Sequence, residues 1–101
     1  MKPIRFEWDE KKASTHLAKH RVSFAQAIHA FDDPFALIAP DEEHSTADEV
    51  REWLIGNSAP GVLVVVFTIR DQGNAVRIIS ARKASRKEKI IYETFKGIPV
   101  P

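Results

Sequence analysis

The chain contains no cysteine, which removes disulfide bonds and thiolate nucleophiles from the possible chemistry. That composition fits a reducing cytoplasm. Long apolar runs are missing as well. VLVVVF, residues 62–67, is the longest, far short of the roughly 20 residues a membrane helix needs. MKPIRFEWDE at the start has no apolar core of the kind a signal peptide carries. These absences predict a cytoplasmic protein that does not enter membranes. No internal repeat, low-complexity segment or linker divides the 101 residues, so one domain with a small core is expected over 1–96, followed by a tail over 97–101. With 44% hydrophobic and 29% charged residues the composition is that of a globular chain, not a disordered one.

Net charge is nearly absent too, at +1, but the charges are unevenly placed. Residues 1–50 hold six Lys/Arg against ten Asp/Glu, and residues 51–101 hold nine against four. A basic face that meets a polyanion would give this pattern. So would two halves that attract each other within one fold.

Helical signals come first. Asp9 is a good N-cap for EKKASTHLAKH, which has acid at its start and Lys19 and His20 at its end. Ser23 and Gln26 form a capping box ahead of Phe24, Ala27, Ile28 and Phe31 at helical spacing. Pro34 stops that second helix. Four strands are then expected: FALIAP (35–40), VREWLIG with Arg51, Trp53 and Ile55 on one face, VLVVVFTI, and AVRIISARK. Turns fall at Pro60-Gly61 and at DQGN. Ser85 and Glu88 make another capping box, opening a helix through Phe95 that Gly97 is placed to end. The expected fold is α+β: two N-terminal helices, a four-stranded, mainly antiparallel twisted sheet and a C-terminal helix, with the helices mostly on one face.

The stretch RIISARKASRKEK, residues 77–89, is the densest in cations. Arg86, Lys87 and Lys89 sit at the start of the last helix, where cations oppose the helix dipole by about 0.3–1 kcal/mol each. With an anion present the sign reverses, because free N–H groups, dipole and guanidinium forks all favour it. A phosphate site is one reading. A solvated basic turn paired with Glu88 and Glu93 is the other.

At these residues the chain resembles the BrnT family of type II toxins, ribonucleases with a RelE-like fold. The matching segments are FEWDEKKASTHLAKH, VSFAQAIHAFDDP, DEEHS, EVREWLIG, VLVVVFT and RIISARKASRKEKIIYE, nearly everything from Phe6 to Glu93. One position departs: the family commonly has glycine after the Lys-His pair, where this chain has Arg21. A left-handed turn there is harder for arginine than for glycine. The resemblance implies mRNA cleavage that inhibits translation, acting on the ribosome, and neutralisation by a BrnA-type antitoxin. DNA would be met only through the antitoxin complex. It also implies that neither metal nor cofactor is needed, since such enzymes turn the ribose 2′-OH on the adjacent phosphate.

That chemistry requires cations around the phosphorus, a proton acceptor and a proton donor. Arg51, Arg77 and Arg82 are the candidates for the catalytic cations; Lys83, Arg86, Lys87 and Lys89 are candidates for holding RNA phosphates. Strict alternation puts Arg77 and Arg82 on opposite faces, so both reach one phosphate only if the strand bulges or ends before Arg82. It is expected to end there. His44, in the polar loop before Arg51, is the leading proton-transfer candidate, with an exposed loop histidine as the plain alternative. Tyr92 can act as acid or base, or can simply pack. Glu52 can be a base or a surface charge on its strand. His16 and His20 have the i, i+4 spacing of metal ligands but lack a third ligand, so no metal site is expected. Trp8 and Trp53 read as core residues more readily than as base-stacking platforms. A non-catalytic module that binds RNA or an acidic protein through the same basic face is the competing functional class.

Overall fold

The structure, a computed structural model, describes residues 4–59 and 61–96. The expected turn residue Pro60, the helix stop Gly97 and the tail 97–101 lie outside the described residues. Strand β1 (Arg5–Glu7) leads into α1 (Glu10–His20) and α2 (Phe24–Ala30). Then follow β2 (Leu37–Pro40), β3 (Arg51–Ser58), β4 (Gly61–Arg70), β5 (Ala75–Lys83) and α3 (Arg86–Phe95). The sheet order is β1-β5-β4-β3-β2, with β1 parallel to β5 and every other pair antiparallel.

The helices begin where their caps dictate. Asp9 accepts from the N–H groups of Lys11 and Lys12, and the Ser23/Gln26 and Ser85/Glu88 capping boxes are both closed. Arg21, after α1, is left-handed at φ 58° and ψ 28°, and its N–H bonds the Leu17 carbonyl. Gly56 has to be small: a Cβ there would stand 2.7 Å from the Ala30 carbonyl oxygen, where the end of α2 meets β3.

The α+β class and the three helices are as expected, but the sheet has five strands, not four. Arg5–Glu7 is too short to show alternation, and its partner is β5, some 70 residues away. Helix placement differs as well. Val22, Phe24, Ala27 and Ala30 pack with Leu54, Leu63, Val65, Phe67, Val76, Ile78 and Ala81 on one face of the sheet. Helix α3 lies against the other face, where Tyr92 joins Ile55, Val64 and Ala84, with Leu37 and Trp53 alongside.

Strand β5 does not end before Arg82, as expected, but runs through Lys83. Instead it bulges. Val66 pairs with Ser80 while the next residue, Phe67, pairs with Ile78, so Ile79 is the extra residue. The bulge reverses the facing of everything after it. Ile78 and Ala81 both reach the first core, and Arg77, Ser80 and Arg82 share the opposite face. Cross-strand register completes three rows there: Arg51–Thr68–Arg77, Trp53–Val66–Ser80 and Ile55–Val64–Arg82.

Candidate active site

Strand β1 stops at Glu7, opposite Arg77, and α1 takes over along the edge of β5. A cleft of about 400 Å³ opens at this joint, within the size range of ligand pockets. Lys11, Lys12, Thr15 and His16 of α1 line one side, Arg51, Val66, Ile79 and Ser80 the sheet side, and Asp41 and His44 the loop between β2 and β3.

The loop is fixed by its own short polar side chains. Ser45 Oγ donates to the Asp41 carbonyl at 2.7 Å and accepts from the Arg51 N–H at 2.8 Å, tying the loop to the start of β3. Asp41 N–H donates to the Arg51 carbonyl at 2.9 Å. This places His44 Nδ1 3.0 Å from Asp41 Oδ2. A carboxylate only accepts, so Nδ1 carries the hydrogen and Nε2 is the ring nitrogen left for a substrate.

Arg51 is held in a similar way. Its Nε donates to Glu49 Oε1 at 2.8 Å, and Glu49 also receives Arg70 Nη2 at 3.0 Å. The hydrogen bond from Arg51 outweighs desolvation and, with the charges of Arg51, Arg70 and Lys12, holds the Glu49 pKa below its ordinary value. Among the described residues the two Nη groups of Arg51 make no hydrogen bond, so the end of the fork is available to an anion.

Arg82 is engaged differently. Both of its terminal nitrogens bond Glu88, at 2.7 and 2.8 Å, and Glu88 also accepts from the Ser85 N–H at 2.8 Å. At the start of α3, therefore, Glu88 stands where the sequence suggested an external anion. Arg82 lines a second, more apolar groove of about 450 Å³ with Trp53, Ile55, Val64 and Ile91; it shares Asp41, His44 and Val66 with the first cleft. Arg77 lines neither cavity and lies 3.7 Å from Glu7.

The remaining candidates spread outward. Lys83, Arg86, Lys87 and Lys89 are exposed, with Arg86 and Lys89 flanking a shallow depression on the outer side of α3. Glu52 alternates with Arg51 on β3 and so faces the side of Leu54, away from the cleft. Tyr92 is buried, and its hydroxyl donates to Asp33 at 2.5 Å. Burial, then the hydrogen bond and charge of Asp33, raise its pKa above the ordinary phenol value. Lys11, Thr15 and Ser80 are not among the residues the sequence singles out, and His16 enters there only through its i, i+4 spacing with His20. The bulge that turns Ser80 to this face is announced by no local pattern.

Among the described residues no helix is long and apolar enough to cross a membrane. The comparison with curated proteins finds no match. The family model described as ribonuclease toxin, BrnT, of type II toxin-antitoxin system matches residues 8–88, which span α1, α2, the cleft and the Arg82–Glu88 pair. The chain belongs to that family of ribonuclease toxins.

Proposed function

We propose that the cleft between α1 and the sheet is the ribonuclease site, and that it cuts mRNA without a metal ion. The 2′-oxygen attacks the adjacent phosphorus, the bond to the 5′-oxygen breaks, and a 2′,3′-cyclic phosphate and a 5′-hydroxyl are left. The observation that carries this reading is the juxtaposition, in one cleft, of an Asp41-backed His44 with the Nη fork of Arg51, unpaired among the described residues. Arg51, with Lys11 and Lys12, stabilises charge that builds on the phosphoryl oxygens. His44 moves a proton through Nε2. Arg82 orders the strand–helix joint beside the cleft, and Lys83, Arg86, Lys87 and Lys89 hold flanking RNA phosphates by charge. Cleavage of translating messages in the cytoplasm would inhibit protein synthesis, and a BrnA-type antitoxin covering the basic face would block it. DNA contacts would then belong to the complex.

Primer extension on transcripts from translating extracts, and on naked RNA in buffer containing EDTA, tests the reading. Wild type should give discrete cuts ending in cyclic phosphate, lost in Arg51→Ala and His44→Ala proteins that keep their fold. RNA binding with no cleavage in either buffer or extract would instead favour a non-catalytic module.

A further inference from the structure

Transesterification of RNA moves two protons, one off the 2′-hydroxyl and one onto the 5′-oxygen. His44 accounts for one of them. Of the other side chains that line the cleft, His16 is the second imidazole. It lies on α1, across from the loop that carries His44, in a wall that also presents Lys11 and Lys12.

The surroundings of His16 are unusual for a residue that only packs. Its ring lies between His20, at 5.6 Å between centroids, and Phe24, at 5.5 Å. Nδ1 is sealed from solvent and has no hydrogen-bond partner among the described residues. A buried polar atom without a partner destabilises the fold and asks for a functional reason. With Nδ1 closed off, any proton exchanged with substrate passes through Nε2.

We propose that His16 is the second proton-transfer group: its Nε2 takes the proton of the 2′-hydroxyl, and His44 delivers a proton from Nε2 to the departing 5′-oxygen. As the O2′–P bond forms and the P–O5′ bond breaks, one histidine gains a proton and the other loses one. Exchange with water restores both. The assignment rests on the ribonuclease reading above.

The division of labour follows from what faces each ring. Lys12, Lys19 and His20 on α1 are the neighbours whose charges act on His16; Lys11 and Arg51 line the same cleft, with Asp41 and His44 in the facing loop. Burial first, then the charges of His20, Lys19 and Lys12, lower its pKa, so it stands neutral and ready to accept. His44 has the Asp41 carboxylate at 3.0 Å as counter-charge for an imidazolium. The neutral ring is the base, and the carboxylate-backed ring is the acid.

A short RNA carrying a mapped cut site tests this, made once with the natural linkage and once with sulfur in place of the leaving 5′-oxygen. Sulfur leaves without a proton, so it bypasses the acid but not the base. On the natural linkage, His16→Gln and His44→Ala should each lower kcat by about 10²–10⁴-fold, with KM changed little. On the sulfur linkage His44→Ala should recover most of its loss, and His16→Gln should not. The acidic limb of the wild-type kcat/KM profile should coincide with the His16 titration followed by NMR, and should vanish in His16→Gln and His16→Asn. A folded His16→Gln protein that cuts within threefold of wild type, with its pH profile intact, overturns the His16 assignment alone. So does an acidic limb in wild type that departs from the His16 titration, a measurement that does not depend on any variant folding. Wild type that cuts neither RNA, in buffer or in translating extract, removes the ribonuclease reading and the assignment together.

Discussion

Arg82 grips both carboxylate oxygens of Glu88, Nη1 to Oε1 at 2.7 Å and Nη2 to Oε2 at 2.8 Å, while the same carboxylate closes the cap of α3. One acid thus fastens the end of β5 to the start of the helix that follows. The lysines and arginines around it remain exposed, and the helix N-terminus has its counter-charge from within the chain.

The acid dependence of stability should report this pair. The hydrogen bonds from Arg82, outweighing desolvation and joined by those from Ser85, bring the Glu88 pKa down from 4.5 to about 2. A depressed carboxyl stabilises the fold fully above its unfolded value, and that contribution is lost as pH falls from 4.5 through about 2. Glu88→Gln keeps the cap acceptor but not the charge. At pH 7 it should destabilise the protein by about 1–2 kcal/mol, a figure discounted for the partial exposure of Arg82. Urea titrations should show the gap between wild type and variant closing across that acid window; a constant gap down to pH 2 is inconsistent with an ion pair.

Tyr92 separates packing from catalysis. Its hydroxyl and the N–H groups of Asn57 and Phe35 all donate to Asp33. Burial raises the Asp33 pKa, but those three hydrogen bonds and the Lys96 charge outweigh it and leave the pKa lowered. Tyr92→Phe should cost about 1–3 kcal/mol in thermal or urea unfolding, because a buried, charge-assisted hydrogen bond is lost. RNA cleavage at a temperature where the variant is folded should stay within a few-fold of wild type. A loss of a hundredfold in kcat with normal unfolding would make the hydroxyl a participant.

Local chemistry in this chain was easy to read, and non-local chemistry was not. Asp9, Ser23 and Ser85 announced three helix starts because a cap is made by side chains a few residues apart. VLVVVFTI gave itself away as a central strand by being apolar on both faces. Strand β1 escaped because three residues carry no period and their partner lies far along the chain. The bulge at Ile79 escaped for a related reason: RIISARK alternates acceptably on paper, and only the pairing with β4 shows that one residue is extra. That single residue decides whether Arg77 and Arg82 share a face. The cleft inherits this limit. His44 and Arg51 were legible as residue types near each other in sequence, whereas His16 and Ser80 meet them only through the tertiary fold.

Arg21 offers a stabilising change. It sits at φ 58° and ψ 28° with its N–H committed to the Leu17 carbonyl, a left-handed helix terminus that suits glycine better. Arg21→Gly should raise stability by about 1 kcal/mol, moderated by the greater freedom glycine gives the unfolded chain. Its side chain lines neither cavity described above, so cleavage should be unchanged. Chemical denaturation of the two proteins decides it; a lower midpoint for the glycine variant would mean that the arginine side chain makes compensating contacts.

Arg51 and Arg77 lie in one cross-strand row with Thr68 between them, yet only Arg51 lines the cleft. Arg51 is anchored through Nε and keeps its Nη fork for an incoming anion, whereas Arg77 stands 3.7 Å from Glu7 beside strand β1. A transition-state contact removed from an active site lowers kcat by about 10²–10³-fold, while a distant phosphate contact mostly changes affinity and its salt dependence. Arg51→Ala should therefore lose about 10²–10³ in kcat. Arg51→Lys should recover only part of that, because an ammonium replaces charge but not the fork. Arg77→Ala should stay within about fivefold in kcat and show its deficit mainly as a weaker response to salt. Single-turnover cleavage at two ionic strengths separates these cases. Equal kcat losses from both alanine variants, with both folded, would move the reacting phosphate out of the α1 cleft and towards the β1 edge of the sheet.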